Sequence, residues 1–376
     1  MPPIAKRLLI LAPGLDGGGA ERQLLLVSMG LVNRGWNVHV LTMTPGGRYW
    51  TELAESGRVT LESLERRGRW DFSIIGKCAQ YVRAHDIGIV QGWMQPCNTF
   101  AALSGRITRR SVVLGVRTIS RAVYGVGPRA YLCSERFLAK WVGATVICNS
   151  KAGHAEWSGW RFPAERLHCI PNGLVLPQRS LAKPFAGSGP IRIGMLARVD
   201  PVKGHKLVLR ALGILRDRGL DFRFSNWGGG EREAVESLRQ MASGLGIADR
   251  TEFRAACDTP WDALESMDIF ISASLAEGMS NSVMEAIAAG RVVLATDVGD
   301  TALLLGPPDH PCGMLFLPTA DALANAIAAV ASDPARGAMM AARAEEKAAE
   351  EFSVAAMVDA YDSVYADLVA SKLARA

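Results

Sequence analysis

The sequence predicts an α/β protein of two doubly wound, Rossmann-like domains facing each other across an interdomain cleft. Three observations predict it. A chain of 376 residues corresponds to two domains at roughly 100–200 residues each. Nearly continuous apolar, β-branched runs alternate with amphipathic stretches, the pattern of parallel strands covered on both faces. The alternation breaks once, at 176–190 (LPQRSLAKPFAGSGP), where Pro, Gly and Ser replace any periodicity, as in an interdomain linker. This divides the chain into 1–175, the linker 176–190, and 191–354. Doubly wound sheets bind ligands beyond the carboxyl ends of their strands, so two of them in one chain imply a shared cleft. With 49% hydrophobic and 21% charged residues, and 38 Gly with 18 Pro, the composition excludes a disordered or collagenous chain.

The elements follow in order. RLLILAP (7–13), NVHVLTM (37–43), VTLESL (59–64), IGIVQGW (87–93), SVVLGVRT (111–118) and ATVICNS (144–150) read as the strands of the first half. IRIGMLAR (191–198), FRFSNWG (222–228), TEFRA (251–255), DIFISAS (268–274) and RVVLATD (291–297) read as those of the second, separated by helical stretches such as 206–219 and 232–246. The last 25 residues space apolar groups at helical intervals and are expected to cover a core surface. The apolar run after Lys6 and Arg7 stops at Pro13 and Gly14, which is too short for a signal-peptide core. No run reaches the roughly 18–20 apolar residues of a membrane span, so membrane association is expected to be peripheral. Seven scattered cysteines, none in a C-x-x-C pair, fit no disulfide framework and point to the reducing cytoplasm, at the inner face of the cell membrane where peripheral.

Charge is uneven. Residues 1–175 carry 22 Lys and Arg against 11 Asp and Glu, net +11, leaving −6 for the remainder. The front half is therefore the one that would seek an anionic surface or substrate. Its basic stretches 66–70, 106–110 and 121–141 interleave Arg and Lys with Trp and Tyr. That mixture suits contact with an anionic membrane and a lipid-linked acceptor, although a merely solvated basic face has the same composition. No nucleic-acid-binding module is recognisable, so nucleic acid is not an expected partner.

Three segments could carry chemistry. The first is GLDGGGAER (14–22), which follows a strand and opens a helix, so its amides and glycines could admit an anion; a plain flexible turn is the alternative. Its glycines, at 14, 17, 18 and 19, do not make G-x-G-x-x-G, and no acidic residue follows about 20 positions on at a strand end. A dinucleotide site is disfavoured. In the second, Arg198 and Lys203 follow a buried strand across a proline-bearing turn closed by Gly204, so both could reach one diphosphate or simply be solvated. The third holds Glu277, in a strand-to-helix turn beside Gly278, and Glu285, on a helix opened by Ser280, Asn281 and Ser282. Among small and apolar neighbours these carboxylates are expected to find few protein partners and to accept hydrogen bonds from a ligand. The chain lacks D-x-D, G-x-S-x-G, a P-loop and any metal-ligand spacing of its six histidines, so no metal cofactor is expected.

In this order Gly-Gly-Ala-Glu (18–21), Asn149-Ser150, Pro171-Asn172-Gly173, Arg198…Lys203-Gly204, Trp227-Gly-Gly-Gly-Glu231, Glu277-Gly278…Glu285-Ala286 and Asp297-Val298-Gly299-Asp300 resemble family 4 of the retaining glycosyltransferases, of GT-B fold and surface-polysaccharide or lipid-linked glycan type. The likeness covers nearly the whole chain. It implies transfer of a hexose-type sugar from a nucleotide diphosphate sugar, with UDP as the favoured carrier, to a glycan or lipid-linked acceptor. Arg198 and Lys203 would neutralise the diphosphate in place of a metal. Glu277 would hold hydroxyls of the transferred sugar, helped by the backbone of Gly278, Met279, Ser280 and Asn281, and Glu285 would take the ribose hydroxyls. Gly18 and Gly19 would let the first turn close over the diphosphate. The base would lie near the turn after 251–255, and the helix over 355–376 would return to the first domain.

Two positions depart from the family pattern. Arg117 stands where many members carry a histidine that touches the sugar, so sugar, diphosphate and anionic acceptor are all candidate partners. Trp227 and Gly229 replace the commoner G-D-G. Front-face substitution, with the departing diphosphate oxygen taking the acceptor proton, is favoured over double displacement because no carboxylate is an evident nucleophile. Rival readings are a GT-B nucleotide-sugar epimerase and a non-catalytic nucleotide-sugar-binding protein.

Overall fold

A computed structural model describes residues 6–68, 70–117, 126–181 and 189–373, with side chains of 126–132 and 373 left aside. The chain forms two compact units, Met1–Gly173 with Val354–Ala376, and Leu174–Ser353.

The first unit runs β1 (Arg7–Ala12), α1 (Gly19–Asn33), β2 (Asn37–Thr42), α2 (Arg48–Ser56), β3 (Thr60–Ser63), α3 (Ser73–Ala84), β4 (Ile89–Gly92), α4 (Cys97–Thr108), β5 (Ser111–Val116), α5 (Val126–Val142), β6 (Thr145–Cys148), α6 (Lys151–Gly159) and β7 (Leu167–Cys169). Its sheet has the order β3-β2-β1-β4-β5-β6-β7 and pairs in parallel throughout. Leu8 to Ala12 are fully buried, as a central strand covered on both faces requires. In α1, Leu24, Val27, Ser28 and Leu31 turn inward at helical spacing.

The second unit runs β8 (Ile191–Leu196), α7 (His205–Asp217), β9 (Phe222–Trp227), α8 (Arg232–Gly244), β10 (Thr251–Arg254), α9 (Pro260–Glu265), β11 (Ile269–Ser272), α10 (Asn281–Ala288), β12 (Val292–Thr296), α11 (Thr301–Leu305), β13 (Gly313–Phe316), α12 (Ala320–Ser332) and α13 (Pro334–Glu351). Its parallel sheet has the order β10-β9-β8-β11-β12-β13. Of the expected linker, residues 182–188 lie outside the described residues. Leu181, just before them, is buried and its carbonyl accepts from the guanidinium of Arg291, which also donates to Met267 O at 2.7 Å.

The terminal helix α14 (Val354–Leu373) belongs to the first unit. Met357, Val358, Tyr361, Val364 and Tyr365 join its core. A Cβ at Gly30 would stand 2.5 Å from Val358, so the absence of a side chain on α1 sets how closely α14 approaches. Arg34 Nε donates to Asp359 at 2.8 Å and Trp36 Nε1 to Asp362 at 2.6 Å. Each sheet holds one strand more than the sequence suggests. β7 and β13 are three and four residues long, half-buried and at sheet edges, where neither length nor period marks a strand.

Candidate functional site

In the second unit the strand order reverses between β8 and β11, which pair directly. Such a reversal opens a crevice beyond the carboxyl ends of the two strands. The loop after β8 carries Arg198 and Lys203, and the loop after β11 carries Glu277. Asp200 caps a 3₁₀ turn over Pro201–Lys203, its Oδ1 accepting from Val202 N at 2.9 Å. Gly204 then turns the chain into α7 with φ 73°, where a Cβ would stand 2.1 Å from Ala273 O. Only glycine fits both conditions. Leu275 N donates to Val202 O at 2.8 Å, so the two loops are tied backbone to backbone.

The result is an ion pair of 2.5 Å between Lys203 Nζ and Glu277 Oε1, with side-chain exposures of 31% and 15%. Glu277 therefore does have a protein partner, contrary to the expectation from its small and apolar neighbours. The lysine comes from a loop 74 residues away, which no local reading finds. Arg198 stays open, 76% exposed, with Asp200 at 3.8 Å. Behind Glu277 the chain after β12 turns at Gly299 (φ 58°), where a Cβ would stand 2.2 Å from Gly278 O. Asp300 N donates to that same oxygen at 3.0 Å. Ser280 is the N-cap of α10 yet makes no side-chain bond to the helix amides. It contacts Ser282 Oγ at 3.3 Å instead. Met279 and Asn281 are half-buried at the helix start, and Glu285, further along α10, is buried.

The loop between β9 and α8 lies on the loop after β8. Val199 N donates to Gly229 O at 2.7 Å, and a Cβ at Gly228 would meet Ala197 at 2.4 Å. Beside it is a cavity of about 150 Å³, lined among others by Val199, Asn226, Phe253, Arg254 and Ala255. Asn226 is fully buried, its Oδ1 held by His205 Nε2 at 3.0 Å, and burial lowers the pKa of His205. Arg254 lies 4.5 Å over the Trp227 ring, so the residue that departs from the family pattern serves as a platform for an arginine.

In the first unit the reversal falls between β1 and β4, and the glycine-rich loop follows β1. The amides of Gly17 and Gly18 donate to Glu21 Oε2 at 2.6 and 2.9 Å. A carboxylate of the chain itself occupies the place an incoming anion was expected to take. Gly18 has φ −74° and its Cβ would meet only ordinary contacts, whereas Gly17 has φ 137°. Gly17, and not Gly18, is the glycine this loop's backbone requires. Gly19 opens α1. Trp93, fully buried after β4, donates from Nε1 to Ala20 O at 2.7 Å.

Arg117 follows β5. Its guanidinium lies 3.6 Å over Trp93 and donates to Asn172 Oδ1 at 3.1 Å and to Tyr361 OH at 2.9 Å. No carboxylate pairs with it among the described residues, and burial lowers its pKa while Tyr361 raises it. Two further polar residues escaped the sequence reading. Asn98 bonds Gly115 in both directions and donates to Glu135 at 2.6 Å. Glu135 is buried, which raises its pKa. It sits in a stretch legible from the sequence only as basic and aromatic. Among the described residues no three His, Cys, Asp or Glu gather as a metal site, and no helix is long and apolar enough to cross a membrane.

Two adjacent family profiles match this chain. Residues 17–176 carry the "Glycosyltransferase Family 4" domain and residues 190–333 the "Glycosyl transferases group 1" domain. The chain is a glycosyltransferase. Among its relatives, the lipopolysaccharide core biosynthesis glycosyltransferase LpsD of Rhizobium meliloti (strain 1021) is 22% identical over 92% of this chain and 94% of LpsD. The match to EpsF of Bacillus subtilis (strain 168), at 26% identity, spans 41% of this glycosyltransferase and only 42% of EpsF. Of solved structures, Anabaena HepE in complex with UDP-glucose superposes with a TM-score of 0.78 at 20% identity, over 98% of this chain and all of HepE. At that identity the likeness speaks for the fold, which is GT-B.

Proposed function

We propose that this glycosyltransferase moves a hexose-type sugar, with retention, from a nucleotide diphosphate sugar to a glycan or lipid-linked acceptor in cell-surface polysaccharide synthesis. The observation that carries the reading is the Lys203–Glu277 pair at the switch point of the second sheet, with Arg198 open beside it. A lone structural pair gains little from a neighbouring exposed arginine. A pair that must release its lysine to an arriving diphosphate gains a second cation for the same dianion. When the donor binds, Lys203 and Arg198 neutralise the diphosphate and stabilise it as leaving group, the work a divalent metal would otherwise do. Glu277, released by Lys203, accepts hydrogen bonds from hydroxyls of the transferred sugar. Glu285 accepts from the ribose hydroxyls, and the cavity beside Phe253 and Arg254 receives the base.

UDP is the carrier we favour, supported by the UDP-glucose that HepE holds. The name of LpsD points the same way for the acceptor, a surface glycan. On the chemical step, the departing diphosphate oxygen takes the acceptor proton on the face the leaving group vacates. The reading is tested by incubating the protein with UDP-sugars and a lipid-linked or oligosaccharide acceptor in EDTA and determining the anomeric configuration of the product. Transfer with retention supports it; an altered free donor sugar without transfer, or no turnover of any donor, overturns it.

A further inference from the structure

The segment 87–170 is the most basic of the chain. It holds 11 Lys and Arg against three acidic residues, Glu135, Glu156 and Glu165. Two of the three cannot offset that charge at the surface. Glu135 is buried on Asn98, and Glu156 pairs with Arg136 at 2.5 Å with both side chains nearly enclosed. On this excess of charge the structure sets a cluster of exposed large apolar side chains. Phe137 and Trp141, one turn apart on α5, are 73% and 56% exposed. Ile107, in the last turn of α4, is 52% exposed, and Trp160, just after α6, is 44% exposed.

Cations reach the two tryptophans, and sequence neighbours on the same helices place Ile107 beside Arg106 and Phe137 beside Arg136. Arg106 lies 5.5 Å over the Trp141 ring. Arg136 lies 4.3 Å over the Trp160 ring, and Lys140 Nζ donates to Trp160 O at 2.9 Å. Arg106, Arg109, Lys140 and Arg161 are exposed around them. The stretch 121–141 is thus not uniformly interfacial. Glu135, Arg136 and Ala139 face inward, while Phe137, Lys140 and Trp141 face out.

We propose that this patch is where the protein docks on an anionic lipid bilayer, with the aromatic rings in the headgroup zone and the cations on lipid phosphates. Exposed aromatic rings with cations at their edges, in a segment where Glu135 and Glu156 are engaged by other side chains and Glu165 is the one exposed carboxylate, are what such an interface selects. A second copy of the chain fits worse, because a two-fold contact would press the same cations against one another. The three helix ends precede β5, β6 and β7 and so lie at the amino edge of the first sheet. The loops of Gly18 and Arg117 lie at its carboxyl edge. Docking therefore leaves those loops uncovered. The inference rests on the proposed function and deepens it by naming the surface that would hold the protein at a membrane carrying a lipid-linked acceptor. It is measured without donor or acceptor, so either can fail alone.

The test is sedimentation with vesicles of phosphatidylcholine, with and without phosphatidylglycerol, for the wild type, Phe137→Ser with Trp141→Ser, and Arg106→Glu with Lys140→Glu. None of these side chains is buried, and melting curves with UDP report that each variant is folded. Arg110 is left alone because it pairs with Asp86 at 2.9 Å. The wild type should bind the anionic vesicles only. That binding should weaken as the Debye length falls from about 10 Å at 0.1 M salt to about 3 Å at 1 M. Each double variant should bind at least about tenfold more weakly. Wild-type binding that both variants retain, or no wild-type binding at low salt, overturns the proposal. So does loss in the variants of self-association or of oligonucleotide binding with vesicle binding unchanged.

Discussion

The two units have the same parallel, doubly wound architecture, and both carry glycine-rich loops beyond the carboxyl ends of their strands, yet they use glycine differently. In the second unit, Gly204, Gly228 and Gly299 stand where a Cβ would come within 2.1–2.4 Å of backbone atoms of neighbouring loops. These glycines lock one loop onto another, and that locking brings Lys203 to Glu277. In the first unit, the loop before α1 is satisfied from within by Glu21, and Gly18 has room for a side chain. The first unit also locks this loop from outside, since a Cβ at Gly47 (φ 100°) would stand 2.4 Å from Leu15 O; the difference lies at the helix start itself, where Glu21 caps the loop and Gly18 keeps room for a side chain.

The contrast can be broken most strongly at the charge it serves. Lys203→Ala should lower the rate of sugar transfer about 10²–10³-fold, the usual loss when one stabilising group is removed from a developing negative charge. Glu277 then also loses its ion-pair partner. Steady-state kinetics with a UDP-sugar check this, and a loss under about tenfold would reduce the pair to a structural contact. Glycine substitutions come next. Gly204→Ala should cost about 3 kcal/mol of stability through strain and collision, while Gly18→Ala should cost less than about 1 kcal/mol. Equal costs in denaturant unfolding would remove the difference between the two kinds of loop.

Much of the second unit was legible in the sequence because its constraints are local. Arg198, Lys203, Glu277 and Glu285 lie at fixed offsets from strands whose apolar runs are unmistakable, and those offsets put them in switch-point loops or on α10. The partner of Glu277 was not legible, since the sheet brings Lys203 to it from 74 residues away. The first unit was less readable for the same reason. Arg117 is held by Asn172 and Tyr361, the latter 244 residues distant on the terminal helix. Nothing around SVVLGVRT announces that clamp. Short edge strands such as β7 leave no periodic signal.

Acid should sharpen the comparison from the side of the first unit. Burial, with His85 and Arg7 nearby, lowers the pKa of His39 from 6.5 to about 4. The unfolded chain therefore takes up this proton near pH 6.5 and the folded one only near pH 4. Stability from this group is intact above pH 6.5 and declines as pH falls towards 4, by about 2–3 kcal/mol in all. Melting from pH 7 to 4 should show a shallower decline in His39→Gln than in the wild type; parallel curves would remove His39 from the acid response. A comparable or smaller effect is expected at the donor. Glu285→Ala should weaken UDP binding by about 1–3 kcal/mol through lost charged hydrogen bonds, and unchanged affinity in calorimetry would exclude Glu285 from the site.

The central claim is that the second unit holds the donor with its own cations. Calorimetric titration of UDP in EDTA tests it most directly, comparing wild type, Lys203→Ala and Arg117→Ala. The account predicts that the wild type binds without metal, that Lys203→Ala binds at least about tenfold more weakly, and that Arg117→Ala binds as the wild type does, because its guanidinium is committed to Asn172 and Tyr361. Binding that disappears in EDTA and returns with Mg²⁺ or Mn²⁺, or that survives in Lys203→Ala and fails in Arg117→Ala, would contradict it.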